Sequence, residues 1–164
     1  MSKKNRTAIQ AKGMCFICYC LVLFVILFFR RIPTLDFARY PYWCRIMDNI
    51  NLIPFDTISE QLNDILYDSG YYEYLAVLNL SANIAMFIPM GCFFPLIWKR
   101  LRRFIPCLAV GFVMIISIEI VQLFSLLGSF DVDDVLLNLI GICIGFWLFR
   151  WLHWIQKRKH NRIP

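Results

Sequence analysis

The 164-residue chain is 60% hydrophobic and only 17% charged. Soluble domains run at about 45–50% apolar, so an ordinary soluble globular fold is excluded. The net charge of +6 is carried between apolar blocks of membrane-spanning length, which argues for a topology signal and against a nucleic-acid partner. Residues 1–164 are expected to form one integral membrane domain, an all-α membrane protein with four transmembrane helices.

Lys3, Lys4, Arg6 and Lys12 precede an uncharged run from Met14 to Phe29, which Arg30 and Arg31 close. This predicts a first span over 14–29. Phe28, Phe29 and Arg30 offer no small-residue cleavage site, so the span reads as a retained signal anchor. Cys15 and Cys18 form a CxxC, but inside an apolar span packing is the plainer role.

Residues 30–74 form a long polar loop in which Pro33, Pro41 and Pro54 favour irregular backbone. After them, Thr57-Ile-Ser-Glu60 reads as a capping box. Ile58, Leu62, Ile65 and Leu66 then share one side of a short amphipathic helix, which is expected to dock on the protein's own spans.

A second span is predicted over 75–98, with Tyr71, Tyr72 and Tyr74 as an interfacial belt. Asn79, Asn83, Phe87 and Gly91 fall on one face, and Pro89 and Pro95 predict a kink or break. The basic turn Lys99, Arg100, Arg102 and Arg103 leads to a third span over 104–127, whose polar residues Glu119 and Gln122 are three apart. A fourth span covers 131–154. Along it Asp131, Asp134, Asn138, Gly141 and Gly145 make a single stripe, from which Asp133 points away. Gly141 and Gly145 also form a GxxxG suited to close helix packing, and Trp147, Trp151 and Trp154 anchor the far end.

Lys and Arg number four before the first span, four in the second connection and five from Arg150 onward; four more are spread through the long first loop, and the third connection has none. Both termini are therefore expected to be cytoplasmic, in a multi-pass cell-membrane protein whose long loop faces outward. At a rise of about 1.5 Å per residue, Asn83, Glu119 and Asn138 each lie roughly 10–12 Å below the outer end of their spans. Three helices thus bring polar groups to one depth, which points to an outward-open pocket formed by Asn83, Glu119, Gln122, Asp131, Asp134 and Asn138.

A carboxylate at helix centre costs about 2.5–3.5 kcal/mol, so Glu119 must be protonated, paired or wetted. A buried network that merely sets helix register is the plain alternative to a ligand site.

Four segments carry a resemblance. Asn51–Phe55 (NLIPF), Asn83–Gly91 (NIAMFIPMG), Ser117–Gln122 (SIEIVQ) and Asp131–Gly141 (DVDDVLLNLIG) look like the signature blocks of the VanZ-like family, in the family's order. That family comprises small bacterial polytopic membrane proteins, and its namesake is associated with low-level teicoplanin resistance. The resemblance implies a cell-envelope role and a contribution to glycopeptide resistance. Many relatives carry an arginine three residues before the first aspartate of the last block, where this chain has Gly128.

Two functions follow. One is a non-catalytic protein whose pocket binds a lipid, a lipid-linked wall component or an amphiphilic antibiotic, its partners being the bilayer and that ligand. The other is a membrane enzyme acting on a lipid-linked substrate, with Glu119 as general acid or base and the aspartates holding a divalent ion. His153 and His160 lie near the other end and read as neither catalyst nor ligand. No motif calls for a cofactor.

Overall fold

A backbone in hydrocarbon has to satisfy its own hydrogen bonds, and long apolar runs do so as helices. The computed structural model describes residues 3–29, 41–68 and 70–160. Four of its helices are long and apolar enough to cross a membrane: α1 (Lys3–Phe29, apolar over Gln10–Phe28), α4 (Tyr71–Ile97), α5 (Phe104–Ser125) and α6 (Val132–His160). The chain is a multi-pass membrane protein with this four-helix architecture.

The helix boundaries extend beyond the apolar stretches. Helix α4 starts four residues before the expected Leu75, so the tyrosine belt is its first turn, and α6 continues to His160. Pro89 and Pro95 lie inside α4, and of the kink or break expected there the break does not occur, since the helix runs on through both. Each proline takes away the donor to a carbonyl four residues earlier. Side chains from outside α4 also donate to two of its carbonyls: the Tyr19 hydroxyl to Met86 O at 2.6 Å and Arg102 Nε to Pro95 O at 3.2 Å.

The centre of the bundle is the α4–α6 pair. In lipid there is no hydrophobic drive between helices, so close packing has to hold them, and small residues permit it. A Cβ on Gly141 would run into Ile84 O, one on Gly145 into Ile88 O, and one on Gly91 into Ile142 O. The two backbones interlock at glycines from both sides, as the GxxxG spacing predicts. Phe87, Met90, Ile115, Ile142 and Phe146, each at most 1% exposed, fill the space between α4, α5 and α6. Helix α1 leans on this core through Phe16, whose ring lies 5.6 Å from those of both Phe93 and Trp98.

The connection between α1 and α4 is more ordered than its prolines suggest. Pro41 O accepts from Cys44 N and Arg45 N, and a short helix α2 (Tyr42–Asp48) follows where irregular backbone is expected. Strand β1 (Ile50–Asn51) then pairs in parallel with β2 (Phe130–Asp131), with Ile50 opposite Phe130 and Asn51 opposite Asp131. This two-residue pair is the one departure from an all-α fold among the described residues.

Helix α3 (Asp56–Tyr67) begins one residue before the expected capping box, and Thr57 does not serve as its cap. The cap comes from α6: Asp133 accepts Phe55 N at 2.7 Å and Ile58 N at 3.0 Å. Phe55 takes a left-handed conformation, φ 67°, to reach it, at a cost of about 1–2 kcal/mol that the two charge-assisted bonds offset. Ile58 and Ile65 are half-buried, while Leu62 and Leu66 remain exposed. Helix α3 packs on α4 and α6 with part of its apolar side left over.

Candidate intramembrane site

Helix α5 places Glu119 and Gln122 on its inner face because a spacing of three turns both toward α6. They are 3% and 8% exposed. Asn138 of α6 is 3% exposed, and Asn83 of α4 and Asp134 of α6 are half-buried. These five side chains line one cavity of about 40 Å³, closed by Ile26 and Leu27 of α1, Met86 of α4, and Ser129. Five of the six residues expected to share a pocket therefore meet.

Asp131, the sixth, is not among the lining residues. Its Oδ2 accepts the Thr57 hydroxyl at 2.6 Å and its Oδ1 accepts Asp133 N at 2.8 Å. Thr57 in turn accepts from Asn51 Nδ2 at 3.0 Å. Asp131 and Asp133 thus staple the Asn51–Ile58 segment onto the start of α6. Asn51–Phe55 forms part of this clamp and does not line the cavity.

Inside the cavity the hydrogen bonds are partly used. Asn83 Nδ2 donates to an Asp134 carboxylate oxygen, tying α4 to α6. Gln122 Nε2 donates to Leu27 O of α1 at 3.0 Å. Asn138 Oδ1 is buried with no donor within reach. A buried carbonyl oxygen left without a donor costs about 1–3 kcal/mol, so such a group in a cavity points to a water or a ligand donor. Among the described residues no Lys, Arg or His lines the cavity, and the polar groups there are two carboxyls, three amides and one hydroxyl.

The volume sets a scale. One water needs about 10–15 Å³ of such space, so the cavity takes roughly three waters or one small polar group.

A family model described as VanZ/LLP1 matches residues 16–153. The chain belongs to the VanZ/LLP1 family. The match runs from Phe16 in α1 to His153 in α6 and takes in all the cavity residues. No curated protein and no solved structure matches the chain. At Gly128, where many VanZ-like relatives carry arginine, a Cβ would stand 3.0 Å from Gln122 Cβ. An arginine at this position would press on the residue that ties α5 to α1.

The contribution of α1 was not visible in the sequence, since Ile26 and Leu27 look like any lipid-facing pair. Ser129 was equally silent, as serine in a turn is ordinary.

Proposed function

We propose that this VanZ/LLP1 protein is a cell-membrane protein with both termini cytoplasmic, the α5–α6 turn outward, and a cavity that binds without catalysis. Its ligand is the polar head of a lipid, of a lipid-linked wall component or of another amphiphile. The observation that carries this reading is Asn138 Oδ1, buried and without a donor in a cavity lined by five other polar side chains. A whole glycopeptide does not fit in about 40 Å³, so a contribution to glycopeptide resistance runs through a bound envelope lipid or one protruding group of the drug.

The test is native mass spectrometry of detergent-extracted protein, paired with glycopeptide susceptibility of cells that carry the same variants. Asn83→Ala, Gln122→Ala and Asn138→Ala each lower bound lipid several-fold and shift susceptibility in step. Loss of one neutral hydrogen bond is worth about 1 kcal/mol, roughly fivefold, and of one to a charged group somewhat more. Lipid occupancy unchanged in all three variants rejects the site.

An enzymatic reading draws support from one observation, that Glu119 and Asp134 share the cavity. A divalent ion has little to bind: Asp131 and Asp133 already accept hydrogen bonds at all four oxygens, and no metal-type cluster of three or more occurs among the described residues. Glu119→Gln separates the two readings. It abolishes function if Glu119 moves a proton, and causes only a graded loss if Glu119 holds a head group.

Orientation has its own check. Cys44 is exposed in α2, so a membrane-impermeant maleimide labels intact cells and Cys44→Ser removes that label. Labelling only after lysis reverses the topology.

A further inference from the structure

The opposite end of the bundle holds a second cavity, of about 310 Å³, where the connection between α4 and α5 meets the last turns of α6. It is lined by Arg102, Phe149, Arg150, His153, Trp154 and Lys157. Arg150, His153, Trp154 and Lys157 recur at i, i+3, i+4 and i+7, so one face of α6 presents them together. Arg102 arrives from the 3₁₀ turn Lys99–Arg102. One of its five N–H donors is spent on Pro95 O, which leaves four.

Among the described residues these cations have no acidic side chain nearby. No Asp or Glu occurs in residues 74–118 or 135–164. Among the described residues, Arg102, Arg150 and Lys157 make no ion pair. Three exposed cations around one concavity repel one another, and an anion brought in from outside relieves that repulsion.

The surroundings specify which anion. Trp147, Trp151 and Trp154 stand 58%, 56% and 49% exposed on this stretch of α6, as interfacial tryptophans do, so the cavity lies at head-group depth. Phe149 and Trp154 give it an apolar wall, and His153 stacks on Phe149 with ring centroids 5.7 Å apart and planes 7° apart. A freely soluble anion has no use for that wall, whereas a phosphodiester with glycerol and acyl carbons attached does.

We propose that this cavity binds the head group of an anionic phospholipid, with Arg102, Arg150 and Lys157 around the phosphate and Phe149 and Trp154 against the glycerol backbone. The site lies roughly 25 Å along α6 from the polar cavity and does not depend on the function proposed for that cavity.

The experiment is native mass spectrometry of the full-length protein extracted from nanodiscs containing phosphatidylglycerol and phosphatidylcholine. The wild type retains phosphatidylglycerol in preference to phosphatidylcholine by roughly thirtyfold or more. Each interfacial cation is worth about fivefold in anionic-lipid affinity, so Arg150→Gln with Lys157→Gln lowers the preference by roughly ten- to thirtyfold. Arg103→Gln with Lys159→Gln removes the same charge outside the cavity and leaves the preference within about twofold. Should the first double variant fail to accumulate, Lys157→Gln alone, at an exposed position, reads about fivefold. Equal losses in the two double variants, or no lipid preference in the wild type, overturn the site. Inorganic phosphate that displaces phosphatidylglycerol at equimolar concentration overturns the lipid as its occupant.

Discussion

Gly145→Leu separates α4 from α6 and leaves little folded protein. The first atom of any side chain at 145 would overlap Ile88 O and stand 3.0 Å from Gly91 Cα, so the obstruction is backbone and no rotamer relieves it. Overpacking by a methylene or so costs about 1–3 kcal/mol even where neighbours can move. Here the two helices have to shift as bodies, which also strips Gly141 from Ile84 and Gly91 from Ile142. Gly145→Ala is expected to lower the midpoint of thermal unfolding in detergent by roughly 5–10 °C, and Gly145→Leu to abolish the monodisperse peak in size-exclusion chromatography. Gly13→Ala is the matched control: nothing lies within 4 Å of a Cβ there, and a helical Gly→Ala change is neutral to stabilising. A wild-type midpoint for Gly145→Leu would show that α4 and α6 do not pack through these glycines.

Asp133→Ala releases the loop helix. Asp133 is 0% exposed and its carboxylate accepts two backbone N–H groups from the first turn of α3 and the residue before it. Removing it orphans both donors and removes the compensation for the left-handed Phe55, for a combined cost of about 2–4 kcal/mol. Because α3 touches the rest of the chain mainly through α4 and this anchor, the loss is local. Amide exchange across Asp56–Tyr67 accelerates roughly a hundredfold or more, while exchange in α4 and α6 stays near the wild-type rate. Asp133→Asn keeps one carbonyl acceptor and falls between the two. Thr57→Val, which removes only the hydroxyl bond to Asp131, produces a smaller acceleration over the same residues. Unchanged exchange in Asp133→Ala would mean that α3 is held by something other than this cap.

Asp133 also shows where one-dimensional periodicity stops. Read along α6 it faces away from the Asp131–Asp134–Asn138–Gly141 stripe, and an acid in the first turn of a helix is an ordinary dipole partner. Its placement is correct and its task is hidden, since the groups it caps lie more than seventy residues earlier, at Phe55 and Ile58. Thr57-Ile-Ser-Glu60 failed as a capping box for the same reason: with Asp133 capping the segment from α6, the helix starts one residue earlier and the Thr57 hydroxyl is taken by Asp131. By contrast, Asn83, Glu119, Gln122, Asp134 and Asn138 were legible as a set. A polar side chain inside a span is costly, so each of those positions is already marked in a sequence that is otherwise apolar.

What the sequence determined by itself is what hydrocarbon enforces locally: the number of spans, the polar residues that interrupt them, the glycine stripe of α6 and membership in a family built on the same blocks. These follow because every residue in a bilayer is tested individually against the cost of leaving water. The tertiary structure alone decided that Asp131 belongs to a clamp and not to the cavity, that α1 closes the cavity with Ile26 and Leu27, and that the space enclosed is about 40 Å³. Volume and partnership are properties of where helices sit relative to one another. In this protein that placement is set by glycine contacts between α4 and α6 and by hydrogen bonds spanning most of the chain's length, neither of which leaves a mark on local hydropathy.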